Sequence, residues 1–329
     1  MDSPCNAGDL TDTLYYYRPG VFTTSGFLCN FVAMSSRFEH FAGYAAGIAA
    51  GVSYGLNPLF AKPLLQKGVD VYSMLLFRYL IAAAILGVWM TFRREPVKVR
   101  ASQVPWLVAL GLFFACSSIG LFESYNYIPA GLATTIVYLY PVFTALMMIA
   151  LGTYPSWQTW TAIAATLCGM VMMCVPSGGL VLSIAGMVLA AFSALSYAVY
   201  LVVVNNTRRI SDVSPHTITL YALVTGTVLF MTVCLCRGVK VCGGISSVRD
   251  WACLLGLAVF PTMVSMLALA ISTRSIGATR TAVLGVFEPV TAILVGLLCF
   301  GEHLTAGVVV GVAICLAAVL FMIVSERKA

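Results

Sequence analysis

A chain of 329 residues that is 60% hydrophobic and only 9% charged is excluded from the ordinary soluble class, in which about 25% of residues are charged. Its mean hydropathy of +0.97 agrees. The net charge of +6 does not point to nucleic acid, because the basic residues form neither a patch nor a stripe but sit in short segments between apolar runs, the pattern that orients membrane proteins.

In chain order, residues 1–40 come first and stand apart. They are polar, contain Tyr15-Tyr16-Tyr17, and have no basic stretch ahead of an apolar core, so they do not read as a signal peptide. They read as an N-terminal extension, and translation is expected to start at Met34. Ten apolar runs follow: Phe41–Phe60, Val71–Phe92, Val104–Ser124, Ile128–Leu151, Gln158–Val175, Leu180–Val204, Pro215–Cys236, Trp251–Ile271, Ala278–Cys299 and Thr305–Val324. Each is long enough, at about 18–25 residues, to cross hydrocarbon as a helix. The breaks between them carry Pro, Gly or charge, as in RREPVKVR, TYPSW and PSGG.

With the N-terminus inside, the inner segments hold 12 basic residues and the outer ones 5 (Lys62, Lys67, Arg237, Lys240 and Arg249), while Arg78 falls within a helix. Both termini are therefore expected in the cytoplasm, with the chain a multi-pass protein of the cytoplasmic membrane. An internal repeat runs through this pattern. Ile128, Ala130, Pro141, Val142 and Leu146 match Ile276, Ala278, Pro289, Val290 and Leu294 at a constant offset of 148 residues, and Ser53-Tyr54 matches Ser196-Tyr197. Five helices per half is an odd number, so the halves, 41–175 and 176–329, must be inverted in the membrane. The expected fold is an all-α integral membrane protein of ten transmembrane helices in two inverted five-helix repeats, a recurring transporter plan.

Three segments carry a family resemblance. They are FEPVTAILVGLLCFGEHLTAGVVVGVAICLAAV in the second half, IPAGLATTIVYLYPVFTALMMIALG in the first, and MLLFRYLIAA, with Arg78, in the second helix. Over about residues 41–324 the chain resembles the EamA family of the drug/metabolite transporter superfamily. The resemblance implies a carrier of small metabolites, most often an exporter. In one place the chain departs from the family: Thr153-Tyr154 stands opposite Gly301-Glu302, so the first half lacks the acid that often follows its fourth helix.

Several residues are candidates for the transport site. Glu288 lies about ten residues into an apolar run, near the bilayer midplane, where a charge costs roughly 2.5–3.5 kcal/mol on insertion scales. It is expected to bind a proton, a cation or a substrate amine; the alternatives are capping of broken backbone or pairing with Arg78. Thr281, Glu288 and Thr291 share one helical face. Pro141 and Pro289 are expected to kink their helices and act as hinges or open a polar cavity. Arg78 is an intramembrane charge that locks helices, attracts an anion or snorkels to the interface. Tyr54 and Asn57 (followed by Pro58) in the first helix, Ser193, Ser196, Tyr197 and Tyr200 in the sixth, and Thr134 and Tyr138 in the fourth form polar-aromatic faces. Together these faces suit an amphipathic ligand or ordinary packing. Trp89, Trp106, Trp157, Trp160 and Trp251 read as interface anchors.

No metal or cofactor is expected. The 11 cysteines are scattered, and the one cluster, Cys234, Cys236 and Cys242, has no histidine nearby. It could form a disulfide if its loop lies outside the cell. His40, His216 and His303 all fall at helix ends, and neither a zincin motif nor a phosphate loop is present, so the chain is not expected to be an enzyme. The expected partners are a small-molecule substrate and membrane lipid. A lipid-carrier flippase of the same fold is the main alternative, an intramembrane lipid-modifying enzyme a weaker one, and oligomeric state is left open.

Overall fold

The computed structural model describes residues 41–124, 126–128, 133, 136–174, 183–239, 241–300 and 306–326. The N-terminal extension, Thr134 and His303 lie outside them. The described elements are helices. They are α1 (41–55), α2 (Asn57–Gln66), α3 (Val71–Arg93), α4 (Val104–Ser124), α5 (Tyr140–Ala150), α6 (Trp157–Cys174), α7 (Ile184–Asn206), α8 (Pro215–Arg237), α9 (Val248–Ala258), a π turn (Val259–Val264), α10 (Ser265–Ile276), α11 (Ala278–Leu284), α12 (Phe287–Phe300) and α13 (Ala306–Glu326). Among the described residues seven helical stretches are long and apolar enough to cross a membrane, counting Val248–Ile276 and Ala278–Cys299 as one each. This is a multi-pass membrane protein. The other three expected runs appear as α1 with α2, as α5 with the residues before it, and as α6.

Polar residues at the apolar-run boundaries set the helix ends. The Asp70 carboxylate accepts from the Tyr72 and Ser73 amides at 2.9 and 3.2 Å, capping α3. Ser214 caps α8, with Pro215 in its first turn, where a missing N–H is harmless. Arg94 at φ 54° and Gly238 at φ 63° close α3 and α8 in the left-handed conformation that ends many helices.

The bundle has two chemically distinct ends. At one, Arg100 Nη2 meets Asp212 Oδ2 at 2.9 Å, and Gln103 Nε2 donates to Asp212 Oδ1 at 2.8 Å and to Arg209 O at 3.0 Å. At the other, Lys67 pairs with Asp250, and Arg237 with Glu123 at 3.3 Å. Helices α4 and α9, matched by the repeat, begin at these opposite ends. Gln103 and Asp250 are equivalent in the repeat, and each takes a backbone N–H of its own helix start while reaching across to the other half.

Close backbone approach holds the halves together. Gly43, Gly47, Gly51 and Gly55 recur every four residues along α1, a small-residue stripe of the kind that brings membrane helices together. A Cβ built on Gly43 would lie 2.6 Å from Ser275 Cβ, one on Gly51 2.9 Å from Phe287 Cβ, and one on Gly55 2.5 Å from the Glu288 carbonyl oxygen. In the other half Gly186, Ala190, Ala194 and Ala198 occupy the equivalent places on α7. There α7 packs on α4 much as α1 packs on α10.

A buried cation braces the interior. Arg78 of α3 is 0% exposed. Its Nε donates to Thr262 Oγ1, its Nη1 to Asn57 Oδ1 at 3.1 Å, and its Nη2 to Pro261 O at 3.1 Å. It does not snorkel. It satisfies backbone and side-chain acceptors where α1 gives way to α2 and where the π turn interrupts the helix, and thereby ties three segments together.

Two stability outcomes follow from these contacts. Gly55→Ala should destabilise the purified protein in an unfolding assay, by about 1–3 kcal/mol for an overpacked contact. Gly87→Ala should not, because nothing lies closer than 3.8 Å to its Cβ position; equal effects at the two sites would refute the close-packing account. Arg78→Ala should cost about 2–5 kcal/mol by orphaning buried acceptors. Arg78→Lys should cost less but stay measurable, since an ammonium cannot reproduce the planar fork. An Arg78→Ala protein as stable as wild type in the same unfolding assay would rule out the brace.

Candidate functional site

Four interruptions of helical structure come together at the middle of the bundle, and a proline accompanies each. Leu56 separates α1 from α2 just ahead of Pro58. Tyr138 and Leu139 form a turn before α5, which carries Pro141 in its first turn. Gly285 and Val286 form a turn before α12, with Pro289 its third residue. Pro261 lies in the π turn. Expectation and structure differ here. Pro141 and Pro289 do not kink continuous helices; each starts a new helix after a break. The reason is local: a proline in a first helical turn forfeits no intrahelical bond, so the irregularity moves to the residues before it.

Breaks at this depth leave polar backbone groups that need partners. Tyr138 Oη donates to Val283 O at 3.2 Å, across from one fourth helix to its repeat mate. Ser265 Oγ donates to Ala50 O at 3.0 Å, and Thr262 Oγ1 to Leu257 O at 2.8 Å. Thr291 Oγ1 turns back to Phe287 O at 2.7 Å.

Two small cavities lie among these breaks. The first is lined by Ser117, Ser118 and Ser193 together with Phe114, Leu121 and Val137. The second is lined by Ser265, Thr281, Gly285 and the α1 face around Gly47, Ala50 and Gly51, with Leu269. Both share the same four residues: Tyr54, Tyr140, Tyr197 and Glu288. The open space is about 20 Å³ in the first and about 10 Å³ in the second, room for roughly one water molecule in each. Their linings correspond through the repeat, Ser118 to Ser265, Ser193 to Ala50 and Val137 to Gly285. Along α4 and α10, the first cavity lies toward the Lys67–Asp250 end and the second toward the Arg100–Asp212 end.

The shared wall is aromatic apart from one carboxylate. The Tyr140 and Tyr197 rings meet edge to face at 4.7 Å, and Tyr138 stands edge to face on Tyr140 at 5.5 Å. The Tyr140 hydroxyl oxygen would be 1.5 Å from a Cβ on Gly285, so only glycine at 285 lets the ring reach the wall. Tyr54 carries the Arg78 guanidinium carbon 5.4 Å from its ring centroid.

The expected site residues thus separate into three groups. Glu288, Tyr54 and Tyr197 line both cavities, joined by Ser193 and Thr281 in one each. Asn57, Arg78 and Tyr138 stand directly behind the wall, and among the described residues Glu288 makes no ion pair with Arg78. Ser196 and Tyr200 are buried in the core, with Tyr200 against Phe114 at 5.3 Å; they and the two prolines line neither cavity. Tyr140, Ser117, Ser118 and Ser265 complete the lining and were not among the expected site residues. The signal for Tyr140 is present in the sequence: it precedes Pro141 as Glu288 precedes Pro289.

Comparison with known proteins places this arrangement. A crystal structure of a protein 17% identical to this chain superposes with a TM-score of 0.74 over 85% of this chain and 98% of the other, so the two share a fold. An uncharacterized transporter from Archaeoglobus fulgidus is 30% identical over 189 residues. That match takes in 57% of this chain and 65% of the relative, so the chain spans a little under two thirds of the relative's length. Residues 41–175 and 184–324 each match the EamA-like transporter family, and with most of its length so matched the chain belongs to that family.

Proposed function

We propose that this membrane transporter is a secondary carrier of small metabolites that works by alternating access across the cytoplasmic membrane. Export is the direction the family resemblance implies. The observation that carries the reading is the pair of cavities on opposite sides of one wall, matched to each other through the repeat. A carrier must show a single site to each side in turn and never to both. A wall of four residues between two small pockets suits an intermediate step of such a cycle.

In this reading the chain spans the membrane ten times, with 41–175 and 176–329 as inverted repeats and both termini in the cytoplasm. The Arg100–Asp212 end then faces inward and the Lys67–Asp250 end outward. Each end is closed by a contact between halves, so rocking one half against the other parts one contact while the other holds. Glu288 binds the proton or the substrate's amine, and Tyr54, Tyr140 and Tyr197 shape the pocket around it. The α1–α2, α5 and α12 breaks, next to Pro58, Pro141 and Pro289, give the backbone places to bend.

The test is flux. Purified protein is reconstituted into vesicles, and uptake of radiolabelled amino acids, organic amines, nucleosides, sugars and organic acids is compared with protein-free vesicles. At least one class should cross faster with the protein present, and Glu288→Gln should lower that flux at least tenfold across pH 5.5–8.5. Wild-type flux from Glu288→Gln at every pH would remove Glu288 from the mechanism. Failure of every class to cross would remove the carrier reading.

A further inference from the structure

The chemistry of the shared wall narrows the cargo. Glu288 is the one acid, and there is no basic residue, among those lining either cavity. The nearby cation lines neither cavity: Arg78 lies behind Tyr54, and each of its guanidinium nitrogens donates one bond, to Thr262, Asn57 and Pro261. The remaining wall residues are tyrosines, and aromatic rings attract cations through their quadrupole. An anion placed here would meet the carboxylate directly and the guanidinium only from behind the Tyr54 ring.

The serine end agrees by a separate count. Ser193 Oγ donates to Ser117 O at 2.7 Å, so in the 3.1 Å contact between the two hydroxyls Ser117 is the donor. Ser118 Oγ donates to Phe114 O at 3.2 Å, so in its 3.0 Å contact with Tyr79 the phenol is the donor. These hydroxyl protons are committed, and the serines can offer lone pairs. Lone pairs, like the carboxylate, suit a ligand that carries N–H donors.

The repeat adds a statement about valence. Tyr140 and Glu288 are equivalent positions, each just before the proline of its fourth helix, and both line both cavities. A symmetric pair of acids would make a dianionic site; this chain has one acid and one phenol. We propose that the site takes small organic monocations, primary ammonium compounds with an aromatic or apolar body, and that Tyr140 sets this selectivity by keeping the lining to a single acid. The inference rests on the cavities being the substrate site.

The experiment is direct binding to full-length protein in detergent, by calorimetry, with four probes. They are 2-phenylethylammonium, the neutral 2-phenylethanol, the anion 3-phenylpropionate and the dication of 1,4-bis(aminomethyl)benzene. Wild type should bind the monocation at least tenfold tighter than the other three. Glu288→Gln should lose that preference. Tyr140→Glu should shift the ratio of dication to monocation affinity at least tenfold toward the dication. The exchanged variant Tyr140→Glu with Glu288→Tyr should recover the monocation preference, because it restores one acid at the equivalent place.

Wild-type protein that binds the alcohol or the carboxylate as tightly as the monocation, or binds no monocation, overturns the proposal without help from any variant. A monodisperse Tyr140→Glu protein with an unchanged ratio overturns the role of Tyr140. The same preparations in vesicles separate the two readings. Cation binding without flux leaves the valence statement and removes the carrier, whereas flux of an anion does the reverse.

Discussion

Broken backbone in the middle of an apolar bundle must find hydrogen-bond partners, and this requirement organises the rest of the molecule. Little water can reach that depth to satisfy it. Arg78 meets part of it at the Pro261 carbonyl, and its bonds to Asn57 and Thr262 join the break after α1 to the π turn before α10. Hydroxyl groups meet more, from Tyr138, Ser265 and Thr262. Where helices stop and restart, side chains from several directions can converge on one point, and the four-residue wall occupies that point.

The repeat gives a frame in which symmetry and its loss are both informative. Equivalent helices begin at opposite ends of the bundle, equivalent positions supply part of each cavity's lining, and one equivalent pair, Gln103 and Asp250, takes part in the contact at each end. The departures are concentrated at the centre. Tyr140 stands opposite Glu288, and Arg78 has Ala222 as its counterpart, the repeat offset in these helices being 144 residues. Both charged members of the centre therefore stand alone. The ends differ too. Asp250 is nearly buried with its side chain 3% exposed, whereas Arg100 and Asp212 are exposed at 76% and 50%. Mobile ions screen an exposed pair far more than a sheltered one.

Much of this is legible in the amino-acid sequence. Apolar length marks the spans, and the paired prolines mark the repeat and the depth of the site. Glu288, Tyr54 and Tyr197 stand out because a polar residue in an apolar run needs a reason. The partners that decide each role are not legible. Arg78 reads equally well as a snorkelling cation, an anion site or a lock, since its acceptors lie about 20 and 180 residues away in the chain. Breaks rather than kinks are also hidden, because a proline marks the residue that starts the new helix and not the turn ahead of it. The glycines of α1 are in plain view at four-residue spacing, yet a stripe of small residues says that something comes close without saying what. Ser196 and Tyr200 share a helical face with Tyr197 by spacing, but a face spans many degrees of arc, and only part of it reaches the wall.

The small size of the two cavities has a consequence for the membrane itself. Small ions move through proteins along unbroken files of water. A partition of three phenols and a carboxylate, with space for about one water on either side, interrupts such a file at its midpoint. In this form the partition leaves no continuous water path past the wall for an ion that does not bind its side chains.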